Sequence, residues 1–287
     1  MQERPLMSVL IANYNNGRYL QEAVDSIKQQ NYDNWEIIIV DDGSSDDSVS
    51  VYHKLQEDSR IKVFYNGTNR GVGYTKRRCV ESASGEICSF LDPDDVLVGE
   101  DALEVMVTEH QKHPEASMIY SGMYRADEKL QITRESPGKD IPLGSSALEM
   151  RSWPFHPLLA FKMSSYNKTE GVDEFMKNAE DYDLYYKLEE VGNVIHIDRM
   201  LYIQRNHPHS ISLNENSNKA SVWHSYACVK AMKRRGLTDE SLMLFPVEHA
   251  FEKAYRRGFE KATSSRIYRI GKIIAFPVLI VSHLWKK

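Results

Sequence analysis

Asp92, Asp94 and Asp95 place three carboxylates within four positions, directly after the apolar run Ile87-Cys88-Ser89-Phe90-Leu91. The run reads as a short buried strand, and the tip of a strand in an α/β sheet is where such sheets bind ligands. Crowded carboxylates repel one another, so a cation or hydrogen-bond donors must share the site. Hard oxygen ligands favour Mg2+ or Mn2+. The same short motif also suits a solvated acidic turn that caps the next helix, so its surroundings decide between the two.

Those surroundings are strands alternating with helices. Ser8-Val9-Leu10-Ile11 reads as a first strand that runs into the polar turn Ala12-Asn13-Tyr14-Asn15-Asn16-Gly17. Leu20, Ala23, Val24 and Ile27 follow at helical spacing. Trp35 to Val40 is continuously apolar, as a parallel strand covered on both faces should be. It ends in Asp41-Asp42-Gly43-Ser44-Ser45, where Ser44 or Ser45 is expected to cap a helix reaching about Leu55. A third strand covers Ile61 to Tyr65. The loop Asn69-Arg70-Gly71-Val72-Gly73 then opens a helix to about Ala83, ahead of the acidic strand. Asp101 to His113 reads as a helix and Met118 to Ser121 as a strand.

This alternation predicts a mostly parallel, Rossmann-like α/β sheet flanked by helices, with right-handed crossovers. In such a sheet the turns after the strands gather on one rim. Tyr14, Asp42, the Arg70 to Lys76 loop, and Asp92, Asp94 and Asp95 would meet there. An aromatic face can stack a base. A carboxylate can accept from a base N–H or a ribose hydroxyl, and cations with a metal can hold a diphosphate. A nucleotide diphosphate is the economical ligand. Neither a Walker A sequence nor a GxGxxG follows the first strand, so nothing argues for ATP hydrolysis or a nicotinamide cofactor.

The stretches SVLIANYNNGRYLQEAVDSIKQQNY, WEIIIVDDGSSDDS, NRGVGYTKRR, ASGEICSFLDPDD, EGVDEFMKNAEDYDLYYKL and QRNHPHSIS resemble the family 2 glycosyltransferases in order and spacing, from about Ser8 to Ser212. The resemblance implies the GT-A fold, a nucleotide-sugar donor that is expected to be UDP-linked, and an inverting displacement. Ala12 and Tyr14 match the nucleotide-binding stretch, with Tyr14 at the position that stacks on the base and Asp42 at the carboxylate that reads it. Lys76 falls where the family usually carries Arg, and Arg77 where it usually carries Asn. The charge survives this departure, but the fork-like phosphate contact does not. Asp92 matches the first carboxylate of the DxD signature, near the ribose. Asp94 matches the second, on the metal, with Asp95 beside it.

Asp181 sits at the family's catalytic base, next to Glu180. Inversion needs one carboxylate to take the proton of the attacking hydroxyl, while a metal neutralises the departing diphosphate. Asp181 and Asp183 also suit a helix N-terminus without any chemistry. His207 falls at a family histidine near diphosphate or metal, with His209 as the alternative. Trp153 and His156 lie where the family builds its acceptor and donor-sugar pocket, although core packing explains Trp153 equally well.

The resulting expectation is a catalytic domain over residues 1–213, with a nucleotide-binding half to about 121 and an acceptor half from 122. A helical extension over residues 214–287 would follow, with helices at Ala220 to Arg235 and Val247 to Lys261. The chain carries −5 in all, but from residue 251 onward nine Lys and Arg stand against two Asp and Glu, a local +7 that leaves −12 for the rest. An acidic body is a poor nucleic-acid binder. The apolar run Ile273 to Val281, interrupted by Pro277, is short of the roughly 20 residues of a spanning helix. With its basic flanks it suits contact with an anionic membrane surface through residues 264–287; a helix docked on the body is the other reading. Cys79, Cys88 and Cys228 form no metal-spaced motif, and the N-terminus lacks a secretory pattern. A cytoplasmic place is expected, peripheral on the inner face of the cell membrane where the tail engages it. The acceptor expected is a hydroxyl of a glycan or lipid-linked glycan, as in polysaccharide biosynthesis. A non-catalytic nucleotide-sugar binding protein is the alternative, and intact Asp181, Asp92 and Asp94 argue against it.

Overall fold

The computed structural model describes residues 4–142, 144–150, 153–208, 210 and 216–237. The chain order is β1 (Met7–Asn13), α1 (Gly17–Lys28), β2 (Trp35–Asp41), α2 (Ser48–Leu55), β3 (Ile61–Tyr65), α3 (Val72–Glu81), β4 (Ile87–Phe90), β5 (Val96–Leu97), α4 (Ala102–Lys112) and β6 (Ala116–Ala126). It continues through β7 (Ile132–Ser136), β8 (Leu159–Lys162), α5 (Met163–Tyr166), α6 (Glu180–Glu189), β9 (Asn193–Arg205) and α7 (Asn216–Arg234).

The strands form one nine-stranded sheet in the order β3-β2-β1-β4-β8-β6-β9-β5, with β7 on β6. The parallel pattern expected from the sequence holds for β3, β2, β1 and β4. Beyond β4 the sheet is mixed. β8 runs antiparallel between β4 and β6, and β6 then pairs parallel with β9. The strand expected at Met118 to Ser121 extends to eleven residues, because β9 pairs along its whole length and β7 joins its second half.

β1 and β2 are buried almost throughout, which explains their unbroken apolar runs. One core cluster joins the sheet to Leu20, Val24, Ile27, Tyr52, Leu103 and Met106. The other joins it to Cys79, Val80, Leu184, Leu188, Ala227 and Ala231. Helices therefore cover both faces. All three cysteines are buried and free. Neither Ser44 nor Ser45 caps α2: Asp46 accepts from the Ser48 N–H at 3.1 Å and the Gly17 N–H at 2.9 Å, while the Ser44 hydroxyl accepts from the Asn15 N–H.

The described residues up to Gly236 belong to one compact unit, in which α7 packs on α6. Its Lys230 and Arg234 reach Asp183 of α6 at 3.1 and 3.3 Å, and Arg235 reaches Glu189 at 2.8 Å. The expected helix at Val247 to Lys261 and the tail 264–287 lie outside the described residues. No helix among the described residues is long and apolar enough to cross a membrane.

Candidate active site

The parallel half of the sheet sets up the rim. β1 and β2 end in register, Asn13 beside Asp41. Asn13 is pinned to the Ser48 and Tyr52 hydroxyls at 3.0 and 2.6 Å, and the Tyr52 hydroxyl donates to Asp41 at 2.6 Å. The next residue, Tyr14, stands 47% exposed, free to meet a flat ligand. Ala12 is partly buried and packs into the second core cluster. Asp42 is buried and clamps the loop ahead of α3. One of its oxygens accepts from the Asn66 amide at 2.8 Å and the Arg70 N–H at 2.7 Å, the other from the Gly71 N–H at 2.9 Å. A carboxylate has about four acceptor sites, so one remains for a base N–H. Gly71 holds φ at +94°, a conformation that disfavours any side chain.

The three acidic residues separate by environment. Asp92 is half-exposed. Asp94 Oδ2 lies 2.9 Å from His207 Nε2. Burial, then the charge of Asp92, raises the Asp94 pKa, and His207 opposes both. His207 is buried beneath Tyr19, with ring centroids 4.8 Å apart. Asp95 is buried, and its oxygens accept from the Tyr202 hydroxyl and the Arg205 N–H, both at 2.7 Å. Asp95 anchors the acidic turn to β9, and its pKa is driven up by burial and by Asp94 and Asp92. Arg205 completes the turn by donating to the Asp94 carbonyl at 2.7 Å and to the Glu128 carbonyl at 2.8 Å. Sequence reasoning missed Tyr202 and Arg205. Only the position of Arg205, two residues before His207, hinted at a role.

Lys76 ties the acidic turn to α6. Its ammonium is buried, 2.8 Å from Glu180 and 3.7 Å from Asp92. Burial works against its charge, but Glu180, Asp92 and Asp181 together hold its pKa well above the ordinary value. Asp181 follows Glu180 in the first turn of α6, after Ala179 at φ +59°. Burial, then repulsion from Glu180, pushes the Asp181 carboxyl up to about 7 against the pull of Lys76. A carboxylate tuned to that range suits a general base near neutral pH. Asp183 plays a different part. It is wholly buried and held by Lys187 at 2.7 Å, so it is the structural member of the pair. The Arg77 guanidinium bonds Glu81 and the Val172 carbonyl, and does not replace Lys76.

Trp153 stacks on Tyr182 with centroids 4.0 Å apart and meets Phe155 edge-on at 4.8 Å, so it packs into the core beside the residue after Asp181. Burial pushes the His156 pKa down to about 4, which keeps its imidazole neutral. His209 lies outside the described residues. Among the described residues no group of three His, Cys, Asp or Glu is arranged to hold a metal ion. Asp94 and His207 nevertheless point at each other, and a carboxylate with an imidazole is a donor set that fits Mn2+. A divalent ion held by few protein ligands takes the rest from substrate phosphate and water.

Comparison with known proteins matches residues 8–173 to the family described as Glycosyl transferase family 2. Chondroitin synthase of Escherichia coli is 30% identical over 211 residues, covering 74% of this chain and 30% of the relative. Hyaluronan synthase of Pasteurella multocida is 27% identical over 235 residues, covering 82% of this chain and 24% of the relative. The chain thus spans less than a third of these relatives. Among solved structures, S. aureus TarS in complex with UDP-GlcNAc is similar with a TM-score of 0.64 and 20% identity, over 79% of this chain and 66% of that one. The mannosyltransferase PcManGT from Pyrobaculum calidifontis, in complex with GDP-Man and Mn2+, is similar with a TM-score of 0.62 and 16% identity, over 100% of this chain and 89% of that one. At these identities the structural likeness concerns the fold.

Proposed function

The chain belongs to glycosyl transferase family 2 and has the GT-A fold, and on that premise we propose that it is a glycosyltransferase that moves a sugar from a UDP-sugar to a hydroxyl of a glycan or lipid-linked glycan. The UDP-GlcNAc in the TarS complex supports the donor. The names of the chondroitin and hyaluronan synthases support a polysaccharide product.

The donor base stacks on Tyr14, and Asp42 accepts its N–H. Asp92 takes a ribose hydroxyl. Asp94 and His207 would hold Mn2+ or Mg2+, which would supply positive charge to the departing diphosphate; the Mn2+ of the mannosyltransferase complex supports this. Asp181 accepts the proton of the acceptor hydroxyl. The acceptor oxygen forms a bond to the anomeric carbon as the carbon–oxygen bond to the diphosphate breaks, and UDP leaves with that electron pair. Lys76 keeps the surrounding carboxylates from repelling the incoming phosphate. The observation that carries this reading is the Lys76 bridge, which brings Asp92 of the donor rim to Glu180, the neighbour of Asp181.

The test is UDP release from a panel of UDP-sugars with a mixed acceptor pool, with and without Mn2+. Asp94→Ala should weaken metal-stimulated UDP binding about tenfold or more. UDP binding that ignores both Mn2+ and Asp94→Ala would end the metal assignment. The tail over residues 264–287 is proposed to engage anionic membrane surface, at the cytoplasmic face. Vesicles rich in phosphatidylserine should sediment the full chain but not a chain lacking residues 264–287, with nucleotide binding kept by both. Equal sedimentation of the two would reject the contact.

A further inference from the structure

Three buried polar atoms at the ends of β6 and β9 have no hydrogen-bond partner: Arg125 Nε, Gln204 Oε1 and Asn206 Oδ1. They share one place in the sheet. Arg125 of β6 pairs with Gln204 of β9. Asn206 continues that ladder by donating its N–H to the Ala126 carbonyl at 2.9 Å, and residues two apart on a strand share a face. Arg125 is partly buried, with its Nε wholly so, and makes no ion pair among the described residues.

The charge of Arg125 reaches two groups at the site. It opposes burial and Asp181 in setting the Tyr182 hydroxyl, and after burial it helps to keep His156 neutral. Tyr182 is the residue whose N–H donates to Asp181 at 2.9 Å, and its ring carries Trp153 stacked upon it. An unpartnered guanidinium N–H and two unpartnered amide oxygens therefore share one face at the ends of β6 and β9, on either side of Arg205, which donates to the Asp94 carbonyl of the acidic turn at 2.7 Å. Each unmade buried hydrogen bond is costly, so their clustering signals an occupant. The amide oxygens accept from hydroxyls, and the guanidinium needs an anion.

Resting on the glycosyltransfer reading above, we propose that this cluster is the acceptor subsite and that the acceptor is anionic: a hydroxylated chain with a carboxylate or phosphate close to the attacked hydroxyl, paired with Arg125. A sugar acid and a polyol phosphate share this chemistry.

The experiment uses the full chain, Mn2+ and the UDP-sugar most readily turned over in the panel. Three acceptors are compared: an oligosaccharide ending in a hexuronate, the same oligosaccharide with that carboxylate reduced to an alcohol, and a polyol phosphate. One of the two anionic acceptors should stimulate UDP release at least about tenfold more than the neutral one, and which of them does so identifies the source. Arg125→Gln should raise the KM for that acceptor about 30-fold, the scale of a lost buried charge pair. Arg125→Lys should restore part of the loss, and Gln204→Ala should raise the KM less. Melting temperatures of the variants separate this from misfolding. Equal stimulation by neutral and anionic acceptors, or an unchanged anion preference in Arg125→Gln and Gln204→Ala alike, overturns the subsite alone. No UDP release from any donor with any acceptor overturns the donor reading and the subsite with it.

Discussion

Replacing Asp181 by Asn should stabilise the protein while removing its chemistry. The carboxyl of Asp181 is raised from 3.8 to about 7, first by burial and then by Glu180. A raised carboxyl favours the protonated folded state, so its ionisation costs stability as pH rises. The cost is absent below about pH 4, where folded and unfolded chains are both protonated, and is complete above about pH 7. Each tenfold change in proton affinity is worth about 1.4 kcal/mol, so the ceiling is about 4 kcal/mol. Partial exposure screens some of this, leaving roughly 1–4 kcal/mol. Asn keeps the size of the side chain and has no charge to bury. Thermal melts should therefore place Asp181→Asn above the parent at pH 8 by roughly 2–16 °C, at about 2–4 °C per kcal/mol for a chain of this size. The gain should shrink as pH falls to 5. Acceptor-dependent UDP release should fall by about 100-fold or more, the usual share of a general base. A lower melting temperature at pH 8 together with transfer within about tenfold of the parent would refute the reasoning.

Three further outcomes follow from packing and charge. Lys76→Met leaves Glu180 buried without its partner and should cost about 3–5 kcal/mol in urea unfolding; a loss below about 1 kcal/mol would mean the bridge does not hold α6 to the rim. Asp183→Ala strands the buried Lys187 ammonium and should lower stability on the same scale, with the midpoint of denaturation as readout. Gly73→Ala sets a methyl 2.4 Å from the Asp173 carbonyl and should cost about 1–3 kcal/mol, because backbone on both sides must shift. An unchanged melting temperature would show that the 173–176 segment yields freely.

The first half of the fold was legible because its signals are local. Each parallel strand is an apolar run bounded by a turn, and each crossover helix shows its buried stripe. The rim residues sit at strand ends, so Tyr14, Asp42, Asp92 and Asp94 could be placed by counting. The second half depends on pairing between distant residues. β8 is only four residues long, yet it inserts between β4 and β6, and nothing in Leu159-Ala160-Phe161-Lys162 states its neighbours. The surroundings of Asp95 are hidden for the same reason. Adjacent carboxylates look alike in sequence, and the Tyr202 hydroxyl and Arg205 N–H that bond Asp95 lie 107 and 110 positions away, as His207 beside Asp94 lies 113 away. Arg125 and Gln204 were invisible because an unmet hydrogen bond is a property of the folded interior.

Asp181 acting as the base beside the donor rim is the central claim, and the pH dependence of kcat/KM for acceptor-driven UDP release tests it most directly. Below about pH 7 the logarithm of kcat/KM should fall by one for each pH unit, as protons reach a carboxyl held near that value by burial and Glu180. A profile that stays level from pH 8 down to pH 5 would contradict it.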